Sequence, residues 1–494
     1  MSPPLPNGFF IDGARRAGSA NESHPVTDPA TGEVVAEVAV ASDDDIDEAV
    51  RSARAAFNLW KKVSARERRD TLKKVADAVK AEADPLGELL ARENGKPLNQ
   101  AKGEVVGTAG LIEYYAEEAL RVSGDVLPSD HPKRMVMVWK EPVGVVAAVT
   151  PWNFPLALLG RMLGPGLAAG CTVVAKPASD TPLSTIRLAE ICHDAGLPPG
   201  AFNVVTGPGG TVGEKLIGHP DIRKVSFTGS LEIGRRVMEL ASKNIKGVTL
   251  ELGGQCPAIV CSHADLTIAP DALIFQGFKN SGQVCNRVNR IYAHSSIYEN
   301  LIEIMTEKMS GMITSHAFDP DADIGPIINE RQGNHIHNQV VDGLAKGARL
   351  TIGGERLVGP DYDSGFFYPP TLLADTNHEM LVMTEETFGP LLGIMPYDDL
   401  NQAIEWSNDT EYGLSSFVFS GDLRTGINIA SQLDAGSVYI NDIFNTYVQA
   451  PYGGMKESGL GREQGSVAIN EYLEIKTVYM DLAKKNRGGY PFAH

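Results

Sequence analysis

Short runs of β-branched residues alternate with helix-like segments over two long stretches of the chain. From Gly144 to Gly254 these runs are VGVVAAVT, CTVVAK, FNVVTG, KVSFTG and VTLELGG. From about Pro257 to Ile440 they are AIVC, RIYAH, LTIGG, LGIMPY, SSFVFS and GSVYIN. This alternation is typical of parallel βαβ units. Because 494 residues exceed what one hydrophobic core can organise, we predict two α/β domains.

The segment before the first alternation has a helical period. Apolar residues recur at helical spacing between Ser42 and about Gly124, after an acidic first turn that suits the helix dipole. The first of them are Ile46, Ala49, Val50, Ala53, Phe57 and Trp60. The stretch from Val126 to Trp139 then shows an alternating pattern, with MVMVW after a polar turn. This pattern predicts an extended hairpin that interrupts the helical region.

The charge balance excludes several classes of protein. The chain has 44 Lys and Arg against 62 Asp and Glu residues, a net charge of −18, so most of its surface would repel a phosphate backbone. We therefore expect no nucleic-acid partner. No run of about 18 apolar residues occurs, and the N-terminal MSPPLPNGFF lacks the charged start and apolar core of a secretory signal. We expect a soluble, cytoplasmic protein with no membrane partner.

The cysteines are few, odd in number and scattered. There are five of them, which argues against a disulfide framework and favours a reducing compartment. Cys256 and Cys261 are too widely spaced for a CxxC metal site, and His335 with His337 forms an HxH pair without an obvious third ligand. We therefore expect free thiols and no metal site.

Two motifs lie where strands are predicted to end, which is where ligands bind in open α/β sheets. KVSFTGSLEIG places Gly229 and Ser230 between a strand and a helix, where Ser230 can cap the helix and backbone amides can face a pyrophosphate. TVVAKPASD ends a strand with Lys176, whose ammonium group can meet a ribose hydroxyl or a phosphate. The chain contains no GxGxxG fingerprint. A plain strand-to-helix turn and a solvated lysine explain the same residues.

Three segments hold residue types suited to catalysis. GFKNSGQVCNR places Cys285 among small and polar residues, which favours a reachable thiol. VTLELGG ends a strand with Glu251, where partial desolvation would raise the carboxylate pKa toward that of a useful base. TPWNFP holds Asn153 between prolines, where its amide can donate to an oxyanion. Taken singly, each also fits a structural role, as an ordinary cysteine, a capping carboxylate or a turn asparagine.

Seven motifs together, in order along the chain, point to a family. TPWNFP, KPASDTP, FTGS, LELGG, GQVC, EETFGP and PYGGMKESGLGRE resemble the signatures of the aldehyde dehydrogenase superfamily over essentially the whole chain. The resemblance implies an α/β aldehyde dehydrogenase fold and an NAD(P)-dependent enzyme that oxidises an aldehyde to a carboxylic acid. By it, Cys285 is the nucleophile that carries a thioester, Glu251 is the base for its hydrolysis, and Asn153 is the side-chain half of the oxyanion hole.

The same resemblance implies a site for NAD or NADP. The residues that match the family's cofactor contacts are Trp152, Lys176, Ser179, Gly229, Ser230, Glu386 and Phe388. Many NAD-preferring relatives carry glutamate at position 179, whose charge would repel a 2′-phosphate. Ser179 removes that repulsion and leaves Lys176 available to pair with the phosphate, although Asp180 is adjacent. We therefore expect NADP to be tolerated.

The substrate pocket is matched by four residues: Arg161, Lys279, Phe444 and Tyr452. Arg161 resembles the carboxylate-binding arginine of succinate-semialdehyde and lactaldehyde dehydrogenases, and Lys279 is a second cation of the pocket. They imply a small aldehyde with a distal anion, such as succinate semialdehyde. Lactaldehyde, glycolaldehyde and sulfonated aldehydes remain alternatives, because the lysine that usually follows the arginine is Met162 here. Pairing of both cations with surface carboxylates is the structural alternative.

The family resemblance also implies a division into domains. The cofactor-binding domain would comprise residues 1–121 and 141–253, with an oligomerisation hairpin, 122–140, between its two parts. The catalytic domain would comprise 254–468, and 469–494 would be a C-terminal oligomerisation segment. We therefore expect a homo-oligomer, either a dimer or a tetramer, because such an arm otherwise exposes an unpaired strand edge.

Three other functions fit part of the pattern. A CoA-acylating semialdehyde dehydrogenase would pass the acyl group to a thiol, but Glu251 supplies the water-activating base that such enzymes can lack. A binding or structural protein could keep the fold without catalysis, but Cys285, Glu251 and Asn153 are all present. A cysteine esterase would need a histidine partner for Cys285, and none is evident in the sequence.

Overall fold

The computed structural model describes residues 7–442 and 447–482. The described chain opens with four short strands: β1 (Phe9–Ile11), β2 (Ala14–Arg16), β3 (Ser23–Thr27) and β4 (Val34–Ala39). Strands β3 and β4 pair with each other as an antiparallel hairpin. Strands β1 and β2 also pair in antiparallel fashion and join the first large sheet.

Four helices follow these strands: α1 (Asp43–Trp60), α2 (Ala65–Ala81), α3 (Ala83–Asn94) and α4 (Leu98–Glu118). A capping box begins α1, because the Ser42 hydroxyl accepts from the Asp45 N–H while the Asp45 carboxylate accepts from the Ser42 N–H. The apolar face predicted for α1 is buried at Ile46, Val50 and Trp60. These helices account for the helical period read from the sequence.

A hairpin then projects from the helical region. Its strands are β5 (Asp125–Leu127) and β6 (Arg134–Pro142), which pair in antiparallel fashion. The last described strand of the chain also pairs with β6, so that a three-stranded sheet results. This sheet is separate from the two large sheets.

The next segment alternates strands and helices and builds the first large sheet. Its elements are β7 (Val145–Val149), α5 (Pro155–Ala169), β8 (Thr172–Lys176), α6 (Leu183–Asp194), β9 (Phe202–Val204), α7 (Glu214–Gly218), β10 (Ile222–Thr228), α8 (Leu231–Ser242) and β11 (Gly247–Glu251). The strands lie in the order β11-β10-β7-β8-β9 and all run parallel. Strand β1 pairs with β9 in antiparallel fashion, and β2 lies beyond β1 at the edge of the sheet. The carboxyl ends of β7, β8, β10 and β11 therefore share one edge.

A second alternation builds a seven-stranded sheet. Its elements are β12 (Cys256–Val260), α9 (Ala269–Phe278), β13 (Val288–His294), α10 (Tyr298–Ser310), α11 (Glu330–Ala345), β14 (Arg349–Ile352), β15 (Thr371–Ala374), α12 (Leu381–Thr384), β16 (Leu391–Tyr397), α13 (Leu400–Asn408), β17 (Ser415–Phe419), α14 (Leu423–Ala430) and β18 (Ser437–Ile440). The strand order is β14-β15-β16-β13-β12-β17-β18, and every neighbouring pair is parallel except β14 with β15.

Two strands complete the described chain: β19 (Gly459–Leu460) and β20 (Leu473–Asp481). Strand β19 pairs in antiparallel fashion with β11 of the first sheet. This pairing brings the segment after β18 back to the carboxyl end of β11, where Glu251 lies. Strand β20 pairs with β6 over its whole length, from Leu473 opposite Pro142 to Asp481 opposite Arg134.

The predicted α/β class with two large sheets is confirmed. LTIGG was predicted as a strand, and its first residues belong to β14. This strand runs antiparallel to β15 at the edge of the sheet, which the sequence pattern did not reveal. The domain boundaries at 121, 140, 253 and 468 stay a prediction. Within residues 7–442 and 447–482, no helix is long and apolar enough to cross a membrane.

Candidate active site

A strained turn carries Cys285 from the end of α9 toward β13. The turn includes a 3-10 segment, Lys279–Gly282, in which Asn280, Ser281 and Gly282 have φ angles of 50°, 57° and 71°. A Cβ atom on Gly282 would lie 2.2 Å from the carbonyl oxygen of Gly389, so the close approach requires glycine. Left-handed non-glycine residues of this kind are concentrated at functional sites.

Cys285 lies where two cavities meet. One cavity has a volume of about 400 Å³ and the other about 380 Å³, and Asn153, Leu158 and Cys285 line both. The cysteine is half-buried, and its Sγ lies 3.5 Å from the hydroxyl oxygen of Tyr452. Burial, assisted by the charge of Glu251, raises the thiol pKa to about 12, while the Tyr452 hydrogen bond and the charge of Arg161 act in the opposite direction.

Asn153 lies in the loop between β7 and α5 and is almost completely buried. Its side-chain Nδ2 donates to the carbonyl oxygen of Gln283 at 3.0 Å, two residues before Cys285. An amide NH₂ carries two hydrogens, and the other one has no acceptor among the described residues. The second N–H is therefore available to an oxygen atom bound beside Cys285.

Glu251 ends β11 and is buried, 1% exposed, with no hydrogen-bond partner for its Oε1 among the described residues. Burial raises its pKa well above the usual range, and the nearby carboxylate of Glu463 raises it further, while Arg161 acts against both. A desolvated carboxylate of this kind holds a proton more tightly than an exposed one and can act as a base near neutral pH.

The cavity of about 380 Å³ brings together five of the seven residues predicted to contact a cofactor. These are Trp152, Gly229, Ser230, Glu386 and Phe388. The rings of Trp152 and Phe388 meet edge to face, with centroids 5.3 Å apart and an interplanar angle of 87°. One carboxylate oxygen of Glu386 accepts from the N–H of Gly254 at 3.1 Å, and burial raises its pKa to about 7.

The turn between β10 and α8 leaves helix amides without a side-chain cap. Ser230 occupies the N-cap position, but its side chain makes no capping hydrogen bond, so the prediction that it caps the helix is wrong. Gly229 and Ser230 line the cavity, so the first N–H groups of this twelve-residue helix, which have no partner within the helix, lie next to it. A concave site with free helix amides fits a nucleotide phosphate.

Lys176 and Ser179 do not line that cavity. Lys176 ends β8 and is buried, and burial lowers its pKa to about 8, against a smaller opposing effect of Asp180. The Ser179 hydroxyl donates to the carbonyl oxygen of Gly207 at 3.1 Å. The structure thus places both residues beside the loop that follows β9.

The cavity of about 400 Å³ holds three of the four predicted substrate contacts: Arg161, Lys279 and Tyr452. The guanidinium of Arg161 lies 4.6 Å from the centroid of the Tyr452 ring, and its NH1 lies 3.7 Å from a carboxylate oxygen of Glu463. Because Glu463 is itself buried, pairing of Arg161 with a surface carboxylate is excluded. Burial lowers the pKa of Lys279, and the charge of Lys96 lowers it further.

Phe444, the fourth predicted substrate contact, lies outside the described residues. Glu463 was not predicted from the sequence, although it lies in the segment PYGGMKESGLGRE. Gly103 and Gly107, which line the larger cavity from α4, were not predicted either. Their spacing of one helical turn on a helix was the available signal, since glycine is unfavourable inside a helix without a reason.

Comparisons with known proteins give a consistent result. The model of the aldehyde dehydrogenase family matches residues 16–478. A succinate-semialdehyde dehydrogenase [NADP(+)] of Escherichia coli (strain K12) is 40% identical over 97% of this chain and 97% of its own. A glutarate-semialdehyde dehydrogenase of Pseudomonas putida is 40% identical over 94% of this chain and 96% of its own. The crystal structure of betaine aldehyde dehydrogenase from Staphylococcus aureus in complex with NAD+ superposes with a TM-score of 0.95 at 32% identity, covering 99% of this chain and 97% of that one.

Proposed function

The chain belongs to the aldehyde dehydrogenase family and is an NAD(P)-dependent aldehyde dehydrogenase; we propose that its substrate is a small aldehyde with a distal anionic group, such as succinate semialdehyde. The observation that carries this proposal is the position of Arg161. Its guanidinium is buried in the larger cavity, and its Nε has no hydrogen-bond partner among the described residues. Glu463 balances the charge of Arg161, but a buried N–H donor without an acceptor is costly unless a ligand supplies one.

The geometry favours a short spacer between the aldehyde and the anion. Arg161 lies against the face of the Tyr452 ring, and the hydroxyl of the same ring lies 3.5 Å from the Cys285 sulfur. A substrate that reaches both groups therefore spans about one aromatic side chain. The dicarboxylic semialdehydes oxidised by the relatives named above have this form.

Lys279 supplies a second cation along the same cavity. Its ammonium lies 5.9 Å from the centroid of Phe154 and 5.8 Å from that of Phe275. It also lines an adjoining cavity of about 300 Å³, which Cys285 does not line. We infer that Lys279 attracts the anionic substrate at the entrance and that Arg161 holds its anion during the reaction.

Cys285, Asn153 and Glu251 each have a separate role in the proposed reaction. The Cys285 thiolate attacks the aldehyde carbon, and the resulting oxyanion accepts hydrogen bonds from the Asn153 amide and the backbone N–H of Cys285. NAD+ or NADP+, when bound, accepts the hydride that leaves this carbon. Glu251 then removes a proton from a water molecule as it attacks the thioester, which releases the acid and restores the Cys285 thiolate.

Several residues would hold the cofactor. The helix amides after Gly229 and the Ser230 hydroxyl suit the pyrophosphate, and Glu386 with Phe388 suits the nicotinamide ribose. Trp152 would close the cavity beside Cys285. Ser179 and Lys176 would contact the adenosine ribose, where the Lys176 ammonium would also pair with the 2′-phosphate of NADP.

We also propose a homo-oligomer formed through the three-stranded sheet. Large apolar side chains on its strands are exposed, notably Val126 at 67%, Ile475 at 73% and Tyr479 at 76%. Among residues 7–442 and 447–482, β20 pairs only with β6 and forms an edge of this sheet. Exposed apolar surface and a strand edge are features that proteins usually cover. Sedimentation of the purified protein tests this part of the proposal.

The test of the proposed substrate is an activity screen with each nicotinamide cofactor. The panel contains succinate and glutarate semialdehydes, lactaldehyde, glycolaldehyde, a sulfonated aldehyde and neutral propionaldehyde. We expect the highest kcat/KM for an anionic aldehyde, in the absence of CoA. A higher kcat/KM for the neutral aldehyde, or a requirement for CoA, would contradict the proposal.

A further inference from the structure

Lys96 is a fully buried lysine beside the loop that carries Asn153. It follows the end of α3, after Gly95 with φ of 84°, and its exposed fraction is 1%. Its Nζ donates to the backbone carbonyl oxygen of Asn153 at 2.7 Å and forms an ion pair with Glu104. The ammonium also lies 3.9 Å from the centroid of the Phe154 ring. The lysine therefore contacts two consecutive residues of this loop.

Glu104, on α4, binds the start of α5, which directly follows the same loop. Its Oε2 receives the Lys96 ammonium, and its Oε1 accepts from the N–H groups of Leu156 at 2.9 Å and Ala157 at 3.1 Å. These are first-turn amides of α5, which has no capping hydrogen bond from its own N-cap residue, Phe154. A carboxylate from another helix thus replaces the missing cap.

The ion pair holds the backbone that follows the Asn153 side chain at two points. Lys96 binds the carbonyl oxygen of Asn153 itself, and Glu104 binds the amides three and four residues later. Removing two charges from water is costly, and a buried pair often adds little net stability. A buried ion pair is therefore expected where it holds the backbone in one conformation. Such precision matters here, because stabilisation of an oxyanion depends on the position of the hydrogen-bond donor to a fraction of an ångström.

We infer that Lys96 and Glu104 are positioning residues for the Asn153 amide, and that they act on the reaction through it. The inference rests on the proposed role of Asn153 as an oxyanion donor. It places neither Lys96 nor Glu104 in contact with the reacting carbon. Loss of the pair would slow formation of the tetrahedral oxyanion and leave substrate affinity largely unchanged.

A double-mutant cycle between Lys96→Met and Asn153→Ala tests the inference. The readout is the burst of p-nitrophenolate from p-nitrophenyl acetate without cofactor, because this acylation of Cys285 also passes through an oxyanion. We expect each single variant to slow the burst, Asn153→Ala by about 100-fold and Lys96→Met by about 10-fold or more. In the Asn153→Ala background, Lys96→Met should slow it less than about threefold further.

Glu93→Gln is the matched control. Glu93 is as deeply buried as Glu104 and accepts from the N–H groups of Leu183 and Ser184 at the start of α6. The Glu93→Gln variant should have a lower melting temperature, as Lys96→Met should, but its burst rate should be unchanged. Should Lys96→Met not fold, Lys96→Gln and Glu104→Gln enter the same cycle.

The outcomes separate the two proposals. A normal burst in Asn153→Ala would overturn the proposed role of Asn153. A slow burst in that variant, combined with an independent, multiplicative loss from Lys96→Met, would overturn the positioning inference alone. A normal burst in a folded Lys96→Met protein would also overturn it.

Discussion

The guanidinium of Arg161 and the carboxylate of Glu463 face each other 3.7 Å apart in a buried site. Burial raises the pKa of Glu463 to about 6, and Arg161 limits that rise. The pair leaves the Nε of Arg161 unused among the described residues. The cation is therefore both balanced within the fold and available to a bound anion.

Replacing Arg161 should discriminate between anionic and neutral substrates. In Arg161→Met the KM for succinate semialdehyde should rise about 10- to 100-fold, because hydrogen bonds to a charged group contribute about 1.5–3 kcal/mol. The KM for propionaldehyde should change less than about threefold. The double variant Arg161→Met/Glu463→Gln removes the unpaired carboxylate and should show the same discrimination. Equal changes for both aldehydes would refute the assignment.

The hydroxyl of Tyr452 should set the reactivity of Cys285. In Tyr452→Phe the thiolate loses a hydrogen bond, so the thiol pKa should rise further. Alkylation by iodoacetamide at pH 8 should slow about tenfold or more. Tyr447→Phe, at an exposed tyrosine five residues earlier, is the control. An unchanged rate in Tyr452→Phe would show that this contact does not act on the thiol.

The use of NADP+ should depend on pH through Lys176. Burial lowers its pKa to about 8, so the ammonium is charged at pH 7 and mostly neutral at pH 9. The KM for NADP+ should therefore rise up to about tenfold over this interval, while that for NAD+ should not follow it. Lys176→Met should remove the difference between the two profiles. A parallel rise with NAD+ would assign the titration to another group.

The glycine in the turn before Cys285 should resist substitution. Gly282→Ala places a side chain at a positive φ and 2.2 Å from the Gly389 oxygen, which should cost at least about 1–3 kcal/mol. Gly110→Ala, on α4 where a Cβ meets nothing within 4 Å, should instead stabilise the protein by about 0.5–1 kcal/mol. Urea unfolding measures both free energies. Equal effects would show that the turn is not strained.

The regular part of the fold could be read from the sequence because its signals are local. The apolar period of α1 and its cap at Ser42 lie within one segment, and β7, β8, β10 and β11 are short segments that contain several β-branched residues. Strands β1, β15 and β19 have two to four residues. Segments of this length are too short to show an alternation of apolar and polar residues. These strands are therefore recognised only by their pairing with neighbouring strands.

Part of the candidate site could also be predicted from the sequence, and part could not. Cys285, Glu251 and Asn153 belong to motifs that the family resemblance identifies. The structure places Cys285 and Asn153 on two joined cavities and buries Glu251 at the end of β11. The Lys96 contact with Asn153 spans 57 residues of sequence. A lysine and a glutamate eight residues apart on or near helices look like exposed charges, and only the packing of α3, α4 and α5 makes them a buried pair.

The proposed reaction depends most on a thioester at Cys285 that is hydrolysed with the help of Glu251. Trapping this intermediate tests the proposal directly. Glu251→Gln is mixed with succinate semialdehyde and NAD+ or NADP+, quenched in acid, digested and analysed by mass spectrometry. We predict a burst of reduced cofactor followed by slow turnover, with the acyl mass on the peptide that contains Cys285. Turnover at the wild-type rate, or an acyl group on any other residue, would contradict the account.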